Sequence, residues 1–510
     1  MLAHYIDHKA LFADGRFFAQ LPIIQKFSPP LTSLGVVDTV LCVTKQLLGG
    51  SHQICEDISV NEDGNRLQVY EILTQALPVL SEQSKFYWER AARTLASMLD
   101  TAKYPIHAQT AHLVFWWARL GGLNGPTVKG TSQEHLSEFT RDGSCVEFSW
   151  VIPTDTEPDA PCNRKIRFGI QPFHPVDAIR LSGAVVIDWL WSAVGGMGLV
   201  SQEGGKDWKD KIEKWIFPKR ESDEQVVPGS TYFIAVDLEP SGSITLKYYC
   251  MPPLPDPSAD PQFESPTGRL ISDLTPFKPL VEFLDPSLVK PLEGLIKFLN
   301  ETDSGLSLAG VACDLKPLED NRLKLYMWTP NQTLKHVIEN LTLGGKLHGQ
   351  KSDDDIAAFK TLYKNLFPYA VMNETVELKD GHEIDDVPEA YAGKVGRHTM
   401  GMVYYFELFV GEPNPYPKVY FLMDLLGKND LDTAQNVESF FKEVGKPGQP
   451  GWLVNDIARA HPHRDLAERT GTQTGFSFGI KPKGWDITGY YSPEVFRAAE
   501  KEKRRQNATE

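Results

Sequence analysis

At 510 residues the chain is long enough to bury a sizeable core, and its formal net charge of -15 argues against nucleic acid or an anionic membrane as main partner. Its 11 Trp, 17 Tyr and 26 Phe supply aromatic packing, and its six Cys show no CxxC or zinc-finger spacing, so they read as reduced thiols of a cytoplasmic protein. The opening MLAHYIDHKALF lacks the basic stretch and apolar core of a signal peptide, and no apolar run approaches the roughly 20 residues of a membrane helix.

Residues 1–80 are weakly patterned and rich in turn signals such as Ser28-Pro29-Pro30 and Asp63-Gly64-Asn65; they are expected to be an N-terminal extension of loops and short helices. Helical apolar spacing begins over 83–100 and resumes over 106–120, where Gly121-Gly122 ends it. Strand patterning then comes in pairs: 144–151 with 165–170, 231–238 with 243–250, 306–313 with 322–328, 400–410 with 418–423, and 472–481 with 486–491. Gly or Pro marks most of the connections, and helical segments over 175–194, 277–300, 334–341, 354–366, 424–444 and 452–460 separate the pairs. One domain over 81–495 is expected, followed by a charged tail, 496–510, with no need of structure.

The strand in NRLKLYMWTP places Arg322, Lys324 and Tyr326 on one face and Leu323 and Leu325 on the other. A similar motif stands at Lys247-Tyr248-Tyr249, at Lys418-Val419-Tyr420, and in modified form at Lys165-Ile166-Arg167-Phe168 and Thr488-Gly489-Tyr490. Positions 167, 247, 324, 418 and 488 recur at intervals of 70–94 residues, the mark of a repeated supersecondary unit. Five hairpins with helices between them close into a ten-stranded antiparallel β-barrel wrapped by helices, an α+β architecture. The helices then cover the outer wall, so the outward residues are apolar and the cations and tyrosines line the lumen.

These residues resemble the fungal aromatic (indole) prenyltransferases of the dimethylallyl-tryptophan synthase family, built on the αββα (ABBA) barrel. The resemblance runs from about residue 86 to 493. It is carried by FYWERAARTLASMLD, HAQTAHLVFWWARLGGLNGP, DGSCVEFSW, RKIRFGIQP, LKYYCMP, RLKLYMW, PKVYF and FSFGIK…ITGYYSPE, in that order. It implies transfer of a dimethylallyl or longer prenyl group from its diphosphate to an electron-rich aromatic ring, with no cofactor and no essential metal. It assigns the diphosphate to Arg167, Lys247, Arg322, Lys324, Lys418 and Lys481, and a shield around the prenyl cation to Tyr249, Tyr326, Tyr420 and Tyr490. Glu147, a lone carboxylate in CVEFSW, matches the residue that hydrogen-bonds the acceptor's indole N–H and assists proton loss. The expected partners are these small molecules, bound by a monomer or homodimer.

The chemistry agrees with the assignment. A diphosphate leaving an allylic carbon needs positive charge where negative charge develops, and each pair of charges at ~4 Å contributes about 4 kcal/mol at an effective dielectric near 20. Electron-rich ring faces stabilise the carbocation by roughly 0.5–2 kcal/mol each. So many cations are expected to repel one another in an empty lumen. A shift of one residue in the last strand would put Tyr491 in place of Tyr490. The strand YFIAVDL lacks the lysine found in tryptophan-prenylating relatives, which leaves a larger indole metabolite, a phenolic or polyketide ring, or a tyrosine-type acceptor open. Met400 and Met402 lie on a strand that in the family helps set prenyl-chain length, and a core role fits them better. A metal-dependent enzyme would use Asp353-Asp354-Asp355 or Asp385-Asp386, neither a good DDxxD motif. A non-catalytic carrier would need only an apolar lumen.

Overall fold

A computed structural model describes residues 67–509, apart from 130–136, 138–139, 154–156, 175–179, 193–194, 202–203, 217–232, 251–270, 330–333, 348–349, 368–401, 424–427 and 483. The expected pairs form strands β1 (Val146–Pro153), β2 (Lys165–Ile170), β3 (Ile234–Leu238), β4 (Ile244–Cys250), β5 (Ser307–Asp314) and β6 (Arg322–Thr329). They continue through β7 (Met402–Phe409), β8 (Tyr416–Phe421), β9 (Gln473–Lys481) and β10 (Gly484–Tyr491). Each strand pairs antiparallel with its sequence neighbour, and β10 returns to β1, so the sheet closes into a ten-stranded barrel.

The polarity of this barrel is inverted, as the alternation requires. Leu323, Leu325 and Met327 of β6 are fully buried on the outer face, under helices that cover the wall. Phe359, in the helix Gln350–Leu366, stacks on Phe421 of β8 at 6.1 Å and meets Phe478 of β9 edge-on at 5.4 Å. Trp116 packs in the same way against Phe148 of β1 and Phe168 of β2, with ring centroids 5.7 and 5.2 Å away. The core is therefore the annulus between sheet and helices. The lumen is left for polar side chains.

Two expectations about the periphery need correction. The segment 496–510 is not an unstructured tail: the helix Val495–Thr509 buries Val495, Phe496 and Ala498. Its apolar start outweighs the charged sequence behind it, with Phe496 against Phe86 at 5.8 Å and Glu502 ion-paired to Arg90. The packed domain also begins before residue 81, because the helix Gln68–Ala76 buries Val69 and Leu73; residues 1–66 lie outside the described residues.

A helix over Lys206–Ile216 was not anticipated. Its sequence KDWKDKIEKWI is mostly charged, yet Trp208, Ile212 and Ile216 recur every four residues on a buried stripe. Ion pairs one turn apart, Lys206–Asp210 and Lys211–Asp207, both at 2.8 Å, flank that stripe. The segment 277–300 is interrupted at Asp285, whose extended backbone precedes Pro286 and whose carboxylate accepts from Ser287 N. Among the described residues, no helix is long and apolar enough to cross a membrane.

Candidate active site

Period-two alternation brings the motif residues of separate hairpins onto one inner surface. Lys165 and Arg167 of β2, Lys247 of β4, Arg322 and Lys324 of β6, Lys418 of β8 and Lys481 of β9 all reach the same interior network. In β4, β6 and β8 a tyrosine follows the lysine by two residues, roughly 7 Å along the strand on the same face. A tier of charge thus adjoins a tier of phenols.

The cations do not simply repel. Four carboxylates, three fully buried and Asp486 partly so, stand between them on β3, β5, β7 and β10. Asp237 of β3 contacts Arg167 Nε at 3.2 Å, Lys247 Nζ at 2.5 Å and Lys165 Nζ at 3.4 Å. Asp314 of β5 holds Arg322 Nε at 3.0 Å and Lys324 Nζ at 2.5 Å. Glu407 of β7 accepts from Arg322 Nη1 at 2.8 Å and is ion-paired to Lys481. Asp486 of β10 lies 2.9 Å from Lys418 Nζ and 3.8 Å from Lys481 Nζ.

The expected instability of the empty lumen is corrected accordingly, because every one of these cations has a carboxylate oxygen within 3.4 Å. Seven cations against four carboxylates still leave an excess of positive charge, with Glu239 at the rim taking Lys165.

Burial and charge act against each other on these groups. Burial pushes Lys418 down to about 8, with Asp486 opposing the fall. Burial and the Arg167 charge carry Lys247 well below its usual range, and burial lowers Lys324. Burial alone would raise the carboxylates, but the surrounding cations hold Asp237, Asp314, Glu407 and Asp486 below their usual values.

The phenols form a continuous chain above the charges. Ring centroids run Tyr249–Tyr326 at 5.8 Å, Tyr326–Tyr420 at 6.4 Å and Tyr420–Tyr490 at 5.5 Å. Tyr405 of β7, missed in the sequence, sits 5.2 Å from Tyr326 and 5.7 Å from Tyr420, with the Lys418 and Lys481 ammonium groups each 5.7 Å from its ring. Burial raises all five hydroxyls, Tyr490 to about 12, so they remain neutral. Tyr491 points the other way, into the outer core, where Trp150 Nε1 donates to its hydroxyl at 3.0 Å.

Glu147 lies on β1 opposite Gly169 of β2 and accepts a hydrogen bond from Thr474 Oγ1 at 2.5 Å. Its charge adds to burial in raising Tyr490, which puts it at the tyrosine end of the lumen. Met402 is buried on the outward face of β7, and Met400 and Asp385-Asp386 lie outside the described residues. Asp353 and Asp354 are exposed on the outer helix Gln350–Leu366. Among the described residues, no group of three or more His, Cys, Asp or Glu is arranged to hold a metal ion.

The four carboxylates carried a signal that went unused. Each is a lone acid in an apolar strand, YFIAVDL, GVACDL, YYFELF and GWDITGY, the same feature that singled out Glu147.

Residues 83–451 match the model of the tryptophan dimethylallyltransferase family. A 7-dimethylallyltryptophan synthase of Aspergillus fumigatus is 23% identical over 471 residues, covering 89% of this chain and 93% of that protein. The prenyltransferase nscD of Neosartorya fischeri is 24% identical over 452 residues, covering 84% of this chain and 92% of that one. Among solved structures, AnaPT from Neosartorya fischeri superposes with a TM-score of 0.62 at 18% identity, covering 83% of this chain and 97% of its own. NotF in complex with brevianamide F and DMSPP gives 0.60 at 19% identity, covering 84% and 99%. With the family model matched across most of its length and a closed barrel of the same kind, the chain belongs to the tryptophan dimethylallyltransferase family and is an aromatic prenyltransferase.

Proposed function

We propose that the chain moves a dimethylallyl group from its diphosphate to a carbon of an indole ring carried by a larger metabolite, and that its own cations replace a metal. The observation that carries this reading is the stacking of the cationic tier directly beneath the tyrosine chain, two residues apart on the same strands. In this reading Arg167, Lys247, Arg322, Lys324, Lys418 and Lys481 bind the diphosphate and receive the charge that develops as the allylic C–O bond breaks. Tyr249, Tyr326, Tyr405, Tyr420 and Tyr490 face the resulting cation and exclude water. The acceptor carbon then forms the new C–C bond. Glu147 accepts the acceptor N–H hydrogen bond and draws off positive charge as the ring loses its proton.

The choice of acceptor rests on two observations. A relative is named as a tryptophan-prenylating enzyme, and NotF was solved with brevianamide F and DMSPP. On β3, however, the inward positions are Ala235 and Asp237, next to Phe233, so that strand offers no basic group to a free amino acid's carboxylate. This favours an indole within a larger molecule over free tryptophan, with a phenolic ring as second choice.

The test is incubation with dimethylallyl diphosphate and a panel of indoles and phenols in excess chelator. Prenylated indole is the expected product. Activity that returns only with added divalent metal would overturn the metal-free mechanism, and binding without turnover would make the barrel a carrier.

A further inference from the structure

We propose that Asp237, Asp314, Glu407 and Asp486 are positioning residues for the diphosphate: a ring of fixed counter-ions that holds the lysines charged and aimed into the lumen until the substrate arrives. The inference rests on the diphosphate reading above and adds to it residues that never need touch the substrate. Three observations carry it. First, the four acids are at most 15% exposed at the side chain, and each spans two or three cations, from two strands for Asp237, Glu407 and Asp486 and both from β6 for Asp314. They therefore tie β2, β3 and β4 into one cluster and β5 through β10 into another inside the barrel.

Second, the spacing is built in. Arg167 stands opposite Asp237, Lys247 opposite Asp314 and Lys324 opposite Glu407 in the strand register. Lys418 and Asp486 are the exception, with β9 between them. The residue in register with both is Gly479. A Cβ there would come within 3.0 Å of Asp486 Oδ1 and 3.1 Å of Lys418 Cε, so glycine leaves room for the contact.

Third, a cluster of buried lysines loses protons to escape desolvation and mutual repulsion. The groups around Lys418 are Asp486 and Thr488 of β10, Lys481 of β9, Tyr405 of β7 and Arg167 of β2. Among these Asp486 is the anion, and it opposes the loss. The carboxylates thus hold back deprotonation without cancelling the excess of positive charge that draws the diphosphate in.

Two opposite outcomes follow for removal of an acid. If the carboxylates only compete with the diphosphate, Asp486→Asn tightens binding. If they maintain the cations, the lysine it faced deprotonates at lower pH and binding weakens on the alkaline side. The experiment is calorimetric titration of inorganic pyrophosphate into the wild-type protein and into Asp486→Asn at about pH 6.5 and about pH 8.5. Asp314→Asn on the opposite wall repeats the test should the first variant not fold, and melting curves monitor both.

The expected result is that the variant binds no more weakly than wild type near pH 6.5 and roughly tenfold more weakly near pH 8.5, one displaced pKa unit being tenfold in the protonated fraction. Titration of pyrophosphate itself cancels in the comparison. A variant that binds equally or more tightly at the higher pH, or more weakly by one factor at both, overturns the proposal. This readout needs neither acceptor nor turnover. Failure of the prenyl-transfer reading would appear separately, as wild-type protein that binds pyrophosphate and forms no product.

Discussion

Glu147 and Tyr420 illustrate how much the proposed chemistry asks of single side chains. Glu147 is held by the Thr474 hydroxyl at the tyrosine end of the lumen. Glu147→Gln keeps the shape and removes the charge, so kcat is expected to fall about 10²–10⁴-fold while the KM for dimethylallyl diphosphate stays within a few-fold; steady-state kinetics separates the two. Tyr420 contacts Tyr326, Tyr405 and Tyr490. Its role as a ring face predicts that Tyr420→Phe retains most activity, whereas Tyr420→Leu diverts donor to dimethylallyl alcohol, measured as the ratio of hydrolysed to transferred prenyl group.

At this scale the sequence was legible wherever a residue type was out of place on its strand. Lys247, Lys324 and Lys418 stand out because ammonium groups are seldom buried. Tyr405 did not, because in the doublet Tyr404-Tyr405 either residue could face inward. Only the pairing of β7 with β6 and β8 selects the second.

At the scale of the element, each strand of the barrel has two faces that do different work. On β6, Leu325 faces the helical layer and Lys324 the lumen, and both are almost fully buried. Leu325→Ala is expected to cost about 2–5 kcal/mol of stability by leaving a cavity, seen as a lower urea midpoint, with the donor KM little changed. Lys324→Met should weaken donor binding at least tenfold and lower stability as well, because it leaves Arg322 as the remaining ion-pair partner of buried Asp314.

The hairpins were readable because period-two alternation and Gly/Pro turns are local signals. The helix Lys206–Ile216 was not, because its three buried apolar residues are outnumbered by charges and its packing depends on distant partners such as Phe277, whose ring lies 5.2 Å from that of Trp215. The C-terminal helix was missed for the same reason: its packing partner Phe86 lies about 400 residues away in sequence.

For the molecule as a whole, the charged lumen makes stability depend on pH in a definite direction. Asp237, Asp314, Glu407 and Asp486 lie below the ordinary carboxylate range when folded. Their stabilisation is present above the unfolded value of about 4 and is lost as pH falls through the folded values. The melting temperature of the empty protein should therefore begin to drop below about pH 4, and Asp486→Asn should show a shallower acid limb in calorimetry.

The closed barrel follows from the sequence because five hairpins, each apolar on one face and polar on the other, have few other ways to bury the apolar face. The central claim is that this closed interior is where the donor sits. The most direct measurement is a crystal structure of the protein with an unreactive thiolo analogue of dimethylallyl diphosphate. Diphosphate oxygens are expected within hydrogen-bond reach of Arg167, Lys247, Arg322, Lys324 and Lys418, with the prenyl chain among the tyrosines. An analogue bound outside the barrel, or held through a metal ion rather than by these side chains, would contradict that claim.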